Sequence, residues 1–260
     1  MLNHLSPSTV QSYRTCAKRV YFEKVLGIPN WQVHAMTVYG TCMHHAIEQL
    51  YLHKLSKGDF KAEFIKKFTE LESTITVWKS DTATSLIIEG GKACDEFYDT
   101  IYPQFNVVET EKEYQIDRGE GHLPITCFAD GITDKKEIID YKFGRGMTGT
   151  SDSKGYRCNM VTYAWAYYNE HGELPEAVTF IKQVWGYKKD KETGQRIFHH
   201  KGFVIDRKEV SISDLDFYQE VYQNVEQGVM NNVWLPAPDD SFFCKGCGYR
   251  IKGHCNKNSE

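Results

Sequence analysis

Residues 127–144 read CFADGITDKKEIIDYKFG, and the fold turns on whether this stretch is a hairpin that carries chemistry. The alternation on either side of a polar centre predicts two short strands. If ITDKKE is the turn, its midpoint falls near Lys135 and Asp130 stands opposite Asp140. Like charges directly opposed on a sheet repel, so two acids at that level call for a cation between them. Lys142 follows Asp140 by two residues and therefore shares its face of the strand. The run EIID is apolar enough to be buried, and an acid at the end of a buried strand needs a partner. The plain alternative is an Asp in a turn and a Lys on an edge strand. Read chemically, two carboxylates and an ammonium suit Mg²⁺ or Mn²⁺, which take hard oxygen ligands and also bind phosphate. A metal of that kind activates water, and a lysine beside it orients the water or neutralises the transition state of phosphodiester hydrolysis.

Working outward, SPSTVQSYRTCAKRVYFEKVLGIPN (residues 6–30) predicts a helix, with Ser6 or Ser8 as cap, Pro7 in the first turn and Gly27 and Pro29 as the stop. YGTCMHHAIEQLYLHKL (39–55) predicts a second helix, and 58–102 is helical in pattern. After Pro103 the character changes. NVVETEKEYQID, ITCFADGITD and EIIDYKF read as strands, NMVTYAWAYYNEHG as a helix, AVTFIKQVWGYKK and IFHHKGFVID as two further strands, and SDLDFYQEVYQNVEQGVM as a last helix. The expectation is one domain over 1–260: a mainly helical region over 1–102, an α/β core over 103–210, and a helix with a cysteine tail over 211–260. No glycine-rich nucleotide fingerprint interrupts this order.

A net charge of −4 does not advertise a bare phosphate-binding module, although a carboxylate site that collects divalent cations is acidic by construction. No apolar run reaches membrane-spanning length, and the first residues carry neither the basic nor the apolar region of an export signal, so a cytoplasmic protein is expected. Of the eight cysteines, Cys42, Cys94, Cys127 and Cys158 stand singly and read as buried small hydrophobes. Cys244, Cys247 and Cys255 form a tail cluster that lacks a fourth ligand. Its completion is open at this level between a zinc site with His254 or another histidine and a ligand from far away.

The blocks SPSTVQSYRTCAKRVYFEKVLGIP, GTCMHHAIE, ADGITD, IIDYKFG, NMVTYAWAYY and CKGCGYRIKGHC occur in that order. Together they resemble the RecB-like branch of the PD-(D/E)XK nuclease superfamily, in kind the small iron–sulfur exonucleases: CRISPR-adaptation-associated nucleases, the AddB nuclease domain and phage counterparts. The resemblance implies a restriction-endonuclease-like α/β fold, with a mixed sheet core, flanking helices, an N-terminal helical region and a C-terminal metal-cluster clasp. It implies a metal-dependent deoxyribonuclease acting as an exonuclease on single-stranded DNA ends, with partners in recombination, repair or CRISPR adaptation. The competing expectation is a non-catalytic DNA-end-binding or protein-interaction module that keeps the fold and the cluster.

Carried over by position, the resemblance makes His44, Asp130 and Asp140 metal ligands and Lys142 their catalytic partner. Glu113 is a further acid, with Glu109 or Glu111 as alternatives for that place. Tyr163, with Asn159 four residues earlier, stands where the family often has Gln-x-x-x-Tyr on a helix beside the substrate strand. Cys16 becomes the missing fourth ligand, joining Cys244, Cys247 and Cys255 around a [4Fe–4S] cluster, with zinc as the alternative occupant. Arg14, Lys18 and Arg145 are candidates for backbone contacts, and His45 reads as structural. Linking Cys16 to Cys255 would close nearly the whole chain into one loop.

Overall fold

The computed structural model of the protein describes residues 2–255 apart from 146–155, 193, 195 and 239–240. Four helices come first: α1 (Pro7–Val20), α2 (Ala35–His53), α3 (Lys57–Leu71) and α4 (Ala83–Glu96). Strands β1 (Val107–Ile116), β2 (Ile125–Thr133) and β3 (Glu137–Lys142) follow, then α5 (Tyr156–His171), β4 (Ala177–Lys189), β5 (Arg196–Lys208) and α6 (Ile212–Met230). The tail adds two single-turn helices, α7 (Phe242–Lys245) and α8 (Gly248–Ile251).

The five strands form one sheet in the order β1-β2-β3-β4-β5. β1/β2, β2/β3 and β4/β5 are antiparallel, whereas β3 and β4 are parallel. A parallel pair cannot be joined by a tight turn, and α5 lies in the crossover between them. The hairpin register follows the expected centre at Lys135: Gly131 pairs with Ile139 and Ile132 with Ile138, after which the two strands part.

Both faces of the sheet are covered, which explains the near-continuous apolar run of β3. Ile138 joins a core that includes Val10, Val161 and Tyr222 from α1, α5 and α6. Ile139 and Tyr141 join a second core that includes Met43, Phe64 and Phe97, supplied by α2, α3 and the turn after α4. Helix starts obey the capping chemistry visible in the sequence. The Ser6 hydroxyl accepts from Thr9 N–H (3.2 Å), and Ser211 and Asp214 cap each other's backbone at the start of α6.

Two departures from the sequence expectation matter for the sites. Helix α1 is broken in its middle, where Cys16 takes extended backbone angles (φ −162°, ψ 94°). The helical stretch expected over 58–102 is interrupted at residues 75–82. There Thr76 N–H and Val77 N–H donate to Val33 C=O (each 3.0 Å), and Ala35 N–H donates to Val77 C=O (3.0 Å). Among the described residues no helix is long and apolar enough to cross a membrane.

The β1–β2 connection is fastened to α6 by a buried carboxylate. Glu226 meets Arg118 Nη1 (3.0 Å) and His122 Nδ1 (2.9 Å) and accepts from the Leu123 N–H. Burial alone would raise the Glu226 pKa, but His122, the Leu123 N–H and Arg118 outweigh it and hold the carboxyl below its ordinary value. A depressed folded-state pKa adds stability above the unfolded value of about 4.3, and that stability is lost as pH falls through the folded value. Glu226→Ala should therefore cost about 3–5 kcal/mol at neutral pH by stranding Arg118, and less in acid. Denaturant titrations at several pH values check this.

Candidate metal centre and cysteine cluster

Helix α2 brings His44 to the place where β2 and β3 separate. Its ring is set edge-on against Phe143 (5.2 Å between centroids) and Tyr141 (6.1 Å), so aromatic contacts fix its orientation. Nδ1 of His44 stands 3.4 Å from Asp130 Oδ1. The other oxygen of Asp130 accepts the Tyr141 N–H (2.6 Å), a donor that the parting strands leave available. Glu111 lies on β1 between the pairs Thr110–Gly131 and Lys112–Ala129, which puts it at the level of Asp130. Its backbone is left-handed (φ 47°). A glutamate is seldom found in that conformation, and such residues cluster at functional sites. His44, Glu111 and Asp130 each offer one ligand atom, and these atoms all lie within 4.8 Å of one another.

Asp140 is 1 % exposed. It forms an ion pair with Lys142 and accepts a hydrogen bond from the Tyr163 hydroxyl (3.1 Å), which in turn accepts from Asn159 Nδ2 (3.3 Å). The Gln-x-x-x-Tyr position of α5 therefore reaches the buried acid, and Tyr163 positions Asp140. The charges of the site are coupled. Burial pulls the His44 pKa down, but Asp130 outweighs it and leaves it raised. Burial pushes Asp130 up, and His44 and Lys142 bring it below the carboxylate range. Asp140 is raised by its burial and Glu111, although exposed, by desolvation of its carboxyl, and both also by the neighbouring Asp130 charge. Crowded carboxylates of this kind are relieved by a cation.

An imidazole and two carboxylates form a donor set that fits a hard divalent cation which keeps part of its water shell. His44, Glu111 and Asp130 would hold it, at the edge of a cavity of about 980 Å³ that all three line. Asp140 interacts with both His44 and Asp130, although its oxygens are engaged by Lys142 and Tyr163.

The structure brings together His44, Asp130, Asp140, Lys142 and Tyr163, but not Glu113. That residue pairs with Phe128, is exposed, and accepts from Gln115 Nε2 (3.2 Å). Glu111, expected only as an alternative, stands in its place. The register of β1 decides this, and nothing local in VETEKEYQID reveals it. Arg145 is not available for a nucleic-acid backbone either, because Asp81 takes its guanidinium with both oxygens. His45 is structural, bridging α2 to Glu63 on α3 (3.0 Å). Trp78, Lys79 and Phe198 also line the cavity; the helical pattern of 58–102 conceals the first two, and Phe198 lies in β5 with nothing local to mark it.

Cys16, Cys244, Cys247 and Cys255 line another cavity, of about 360 Å³, which has His34 in common with the first. The break in α1 frees Cys16 Sγ to accept the Ala237 N–H (3.4 Å). Burial, and then the three other cysteines, push the Cys255 thiol up against the pull of Lys18. Among the described residues no three of these sulfurs lie within 4.8 Å of one another. Four thiolates on one zinc, with Zn–S of about 2.3 Å, would stand only about 3.8 Å apart. His254 stacks on Trp31 (5.2 Å, 15°) rather than completing the set.

A model of the PD-(D/E)XK nuclease superfamily matches residues 4–252. No curated protein matches the chain. Among solved structures, the chain is similar to a "Putative exonuclease" from Eubacterium rectale, with a TM-score of 0.57 at 11% identity, covering 99% of this chain and 91% of that one. It also matches SSO0001, with a TM-score of 0.43 at 14% identity, covering 96% and 85%.

Calorimetric titration with Mn²⁺ separates the two glutamates. His44→Ala, Asp130→Asn and Glu111→Ala should each weaken binding by more than about tenfold, as loss of a ligand costs at least what outer-shell changes do. Glu113→Ala should bind Mn²⁺ like the parent.

Proposed function

The chain belongs to the PD-(D/E)XK nuclease superfamily, and on that premise we propose that it is a metal-dependent deoxyribonuclease working as an exonuclease on single-stranded ends. The observation that carries the reading is the meeting of His44, Glu111 and Asp130 within 4.8 Å, beside the buried Asp140–Lys142 pair. Those three side chains would hold Mg²⁺ or Mn²⁺, which would supply Lewis-acid activation of water and neutralisation of phosphoryl charge.

The chain's own groups do the rest. Asp140, fixed by Tyr163, holds the Lys142 ammonium at one place. From there Lys142 orients the attacking water or stabilises the extra negative charge of the pentacovalent phosphorus. Asp130 keeps its carboxylate ionised through His44, Lys142 and the Tyr141 N–H, and it is therefore ready to ligate near neutral pH. The aromatic packing of His44 prevents its ring from turning away. Such preorganisation is where the rate comes from, since no reorganisation is needed as charge develops.

The tail cysteines are proposed to hold a [4Fe–4S] cluster through Cys16, Cys244, Cys247 and Cys255. What supports a shared metal group is that all four cysteines line one cavity, Cys16 reaching it from α1. Its role is structural, a clasp that ties the C-terminal turns to α1.

Labelled single- and double-stranded DNA incubated with Mn²⁺, Mg²⁺ or EDTA tests the activity. The parent should degrade single strands from an end only with metal, and Lys142→Ala should be slower by about 10²–10³-fold. DNA binding with no metal-dependent cleavage would instead identify a binding module. For the clasp, Cys16→Ala should abolish the broad visible absorbance of anaerobically purified protein; full retention of the colour would remove Cys16 from the ligand set.

A further inference from the structure

The cavity above the metal centre is much larger than a hydrated ion requires. Its volume of about 980 Å³ lies at the upper end of pockets that enclose organic ligands, about 300–1,000 Å³, whereas a water occupies about 30 Å³. The lining beyond the ligands is not that of a bare ion channel. Trp78, Phe143, Phe198 and Met36 give flat or apolar surfaces, and Lys79 brings an ammonium to the same space.

The wall that carries Trp78 and Lys79 is pinned at both ends. At its start, Thr76 and Val77 are hydrogen-bonded to the backbone of Val33 and Ala35, and Val77 bridges His34. At its end, the buried Asp81 grips the Arg145 guanidinium with both oxygens. Arg145 is itself held over Phe198 (3.9 Å to the ring centroid) and Trp185 (5.0 Å). It follows Lys142 by three residues, so the pin ties this wall to the catalytic strand. Between the two anchors Lys79 sits in a left-handed conformation (φ 54°), which side chains other than glycine rarely adopt. A short irregular segment held this firmly offers its side chains at little entropic cost to a ligand.

We propose that residues 77–81 form a nucleotide subsite for the unpaired strand, in which Trp78 stacks on a base and Lys79 meets a backbone phosphate. The Asp81–Arg145 pair acts as the positioning device that keeps this wall in place. The proposal rests on the nuclease reading and adds to it the residues that select single strands. Bases in a duplex are stacked on one another and do not offer a free face to Trp78, whereas every unpaired base does.

The test uses the full chain carrying Lys142→Ala, so that the strand is not consumed, with fluorescein-labelled oligothymidylate in Mg²⁺ followed by anisotropy. Adding Trp78→Ala should weaken binding by about 5- to 150-fold, the range of one lost base–aromatic stack. Trp78→Phe should stay near the starting affinity. Asp81→Asn should weaken binding as well, and Asp81→Glu should restore most of it. In the cleavage-competent protein, Trp78→Ala and Asp81→Asn should raise KM by more than they lower kcat. Unchanged affinity in Trp78→Ala and Asp81→Asn overturns the subsite whatever the cleavage assay shows. Equal loss of affinity in Trp78→Phe and Trp78→Ala overturns the stacking role. The nuclease reading fails separately, if the parent shows no metal-dependent cleavage.

Discussion

A carboxylate at the end of the central strand, almost wholly withdrawn from water, is the constraint from which the rest of the site follows. Asp140 is buried to 1 % exposure, and an ionised acid in that position is costly unless it is paired and hydrogen-bonded. Lys142, two residues on, provides the charge, and Tyr163 provides the hydroxyl from α5. Asp130 adds a second negative charge from within the neighbouring strand β2 and Glu111 a third from β1. Their repulsion is only partly met by His44, which α2 delivers from the other side of the sheet. Each face thus contributes one helix to the charge balance, which the proposed divalent cation would complete.

The same segments that shape the cavity at the candidate metal centre also touch the cysteine tail. The Tyr249 hydroxyl donates to Ile28 C=O (3.0 Å), and His254 stacks on Trp31. Gly248 sits so close to Asn30 that a Cβ would approach its side-chain oxygen to 2.7 Å. Residues 28–34, packed in this way under the tail, go on to pair with residues 76–77 at the cavity wall. The proposed structural cluster is therefore mechanically continuous with the proposed nucleotide subsite through two short stretches of backbone.

Much of this was legible in residues 127–144. The turn centre at Lys135, the burial of β3 and the Asp140–Lys142 pairing all follow from strand alternation and the cost of an unpaired buried acid. The cap at Ser6 and the strands from β1 to β5 were legible for equally local reasons. Glu111 was not, because its place depends on how β1 registers against β2, which the Glu226-anchored connection and a left-handed backbone decide. The break at Cys16 was hidden by a sequence that caps and repeats like an ordinary helix. Residues 76–82 were hidden because their pairing partner lies over forty positions earlier, beyond the reach of any periodicity.

The most direct test of the metal centre is anomalous diffraction from crystals soaked in Mn²⁺. The anomalous peak is expected among His44, Glu111 and Asp130, with Glu113 uninvolved and Lys142 still beside Asp140. A peak coordinated elsewhere, or none at this site under conditions that support cleavage, would contradict it.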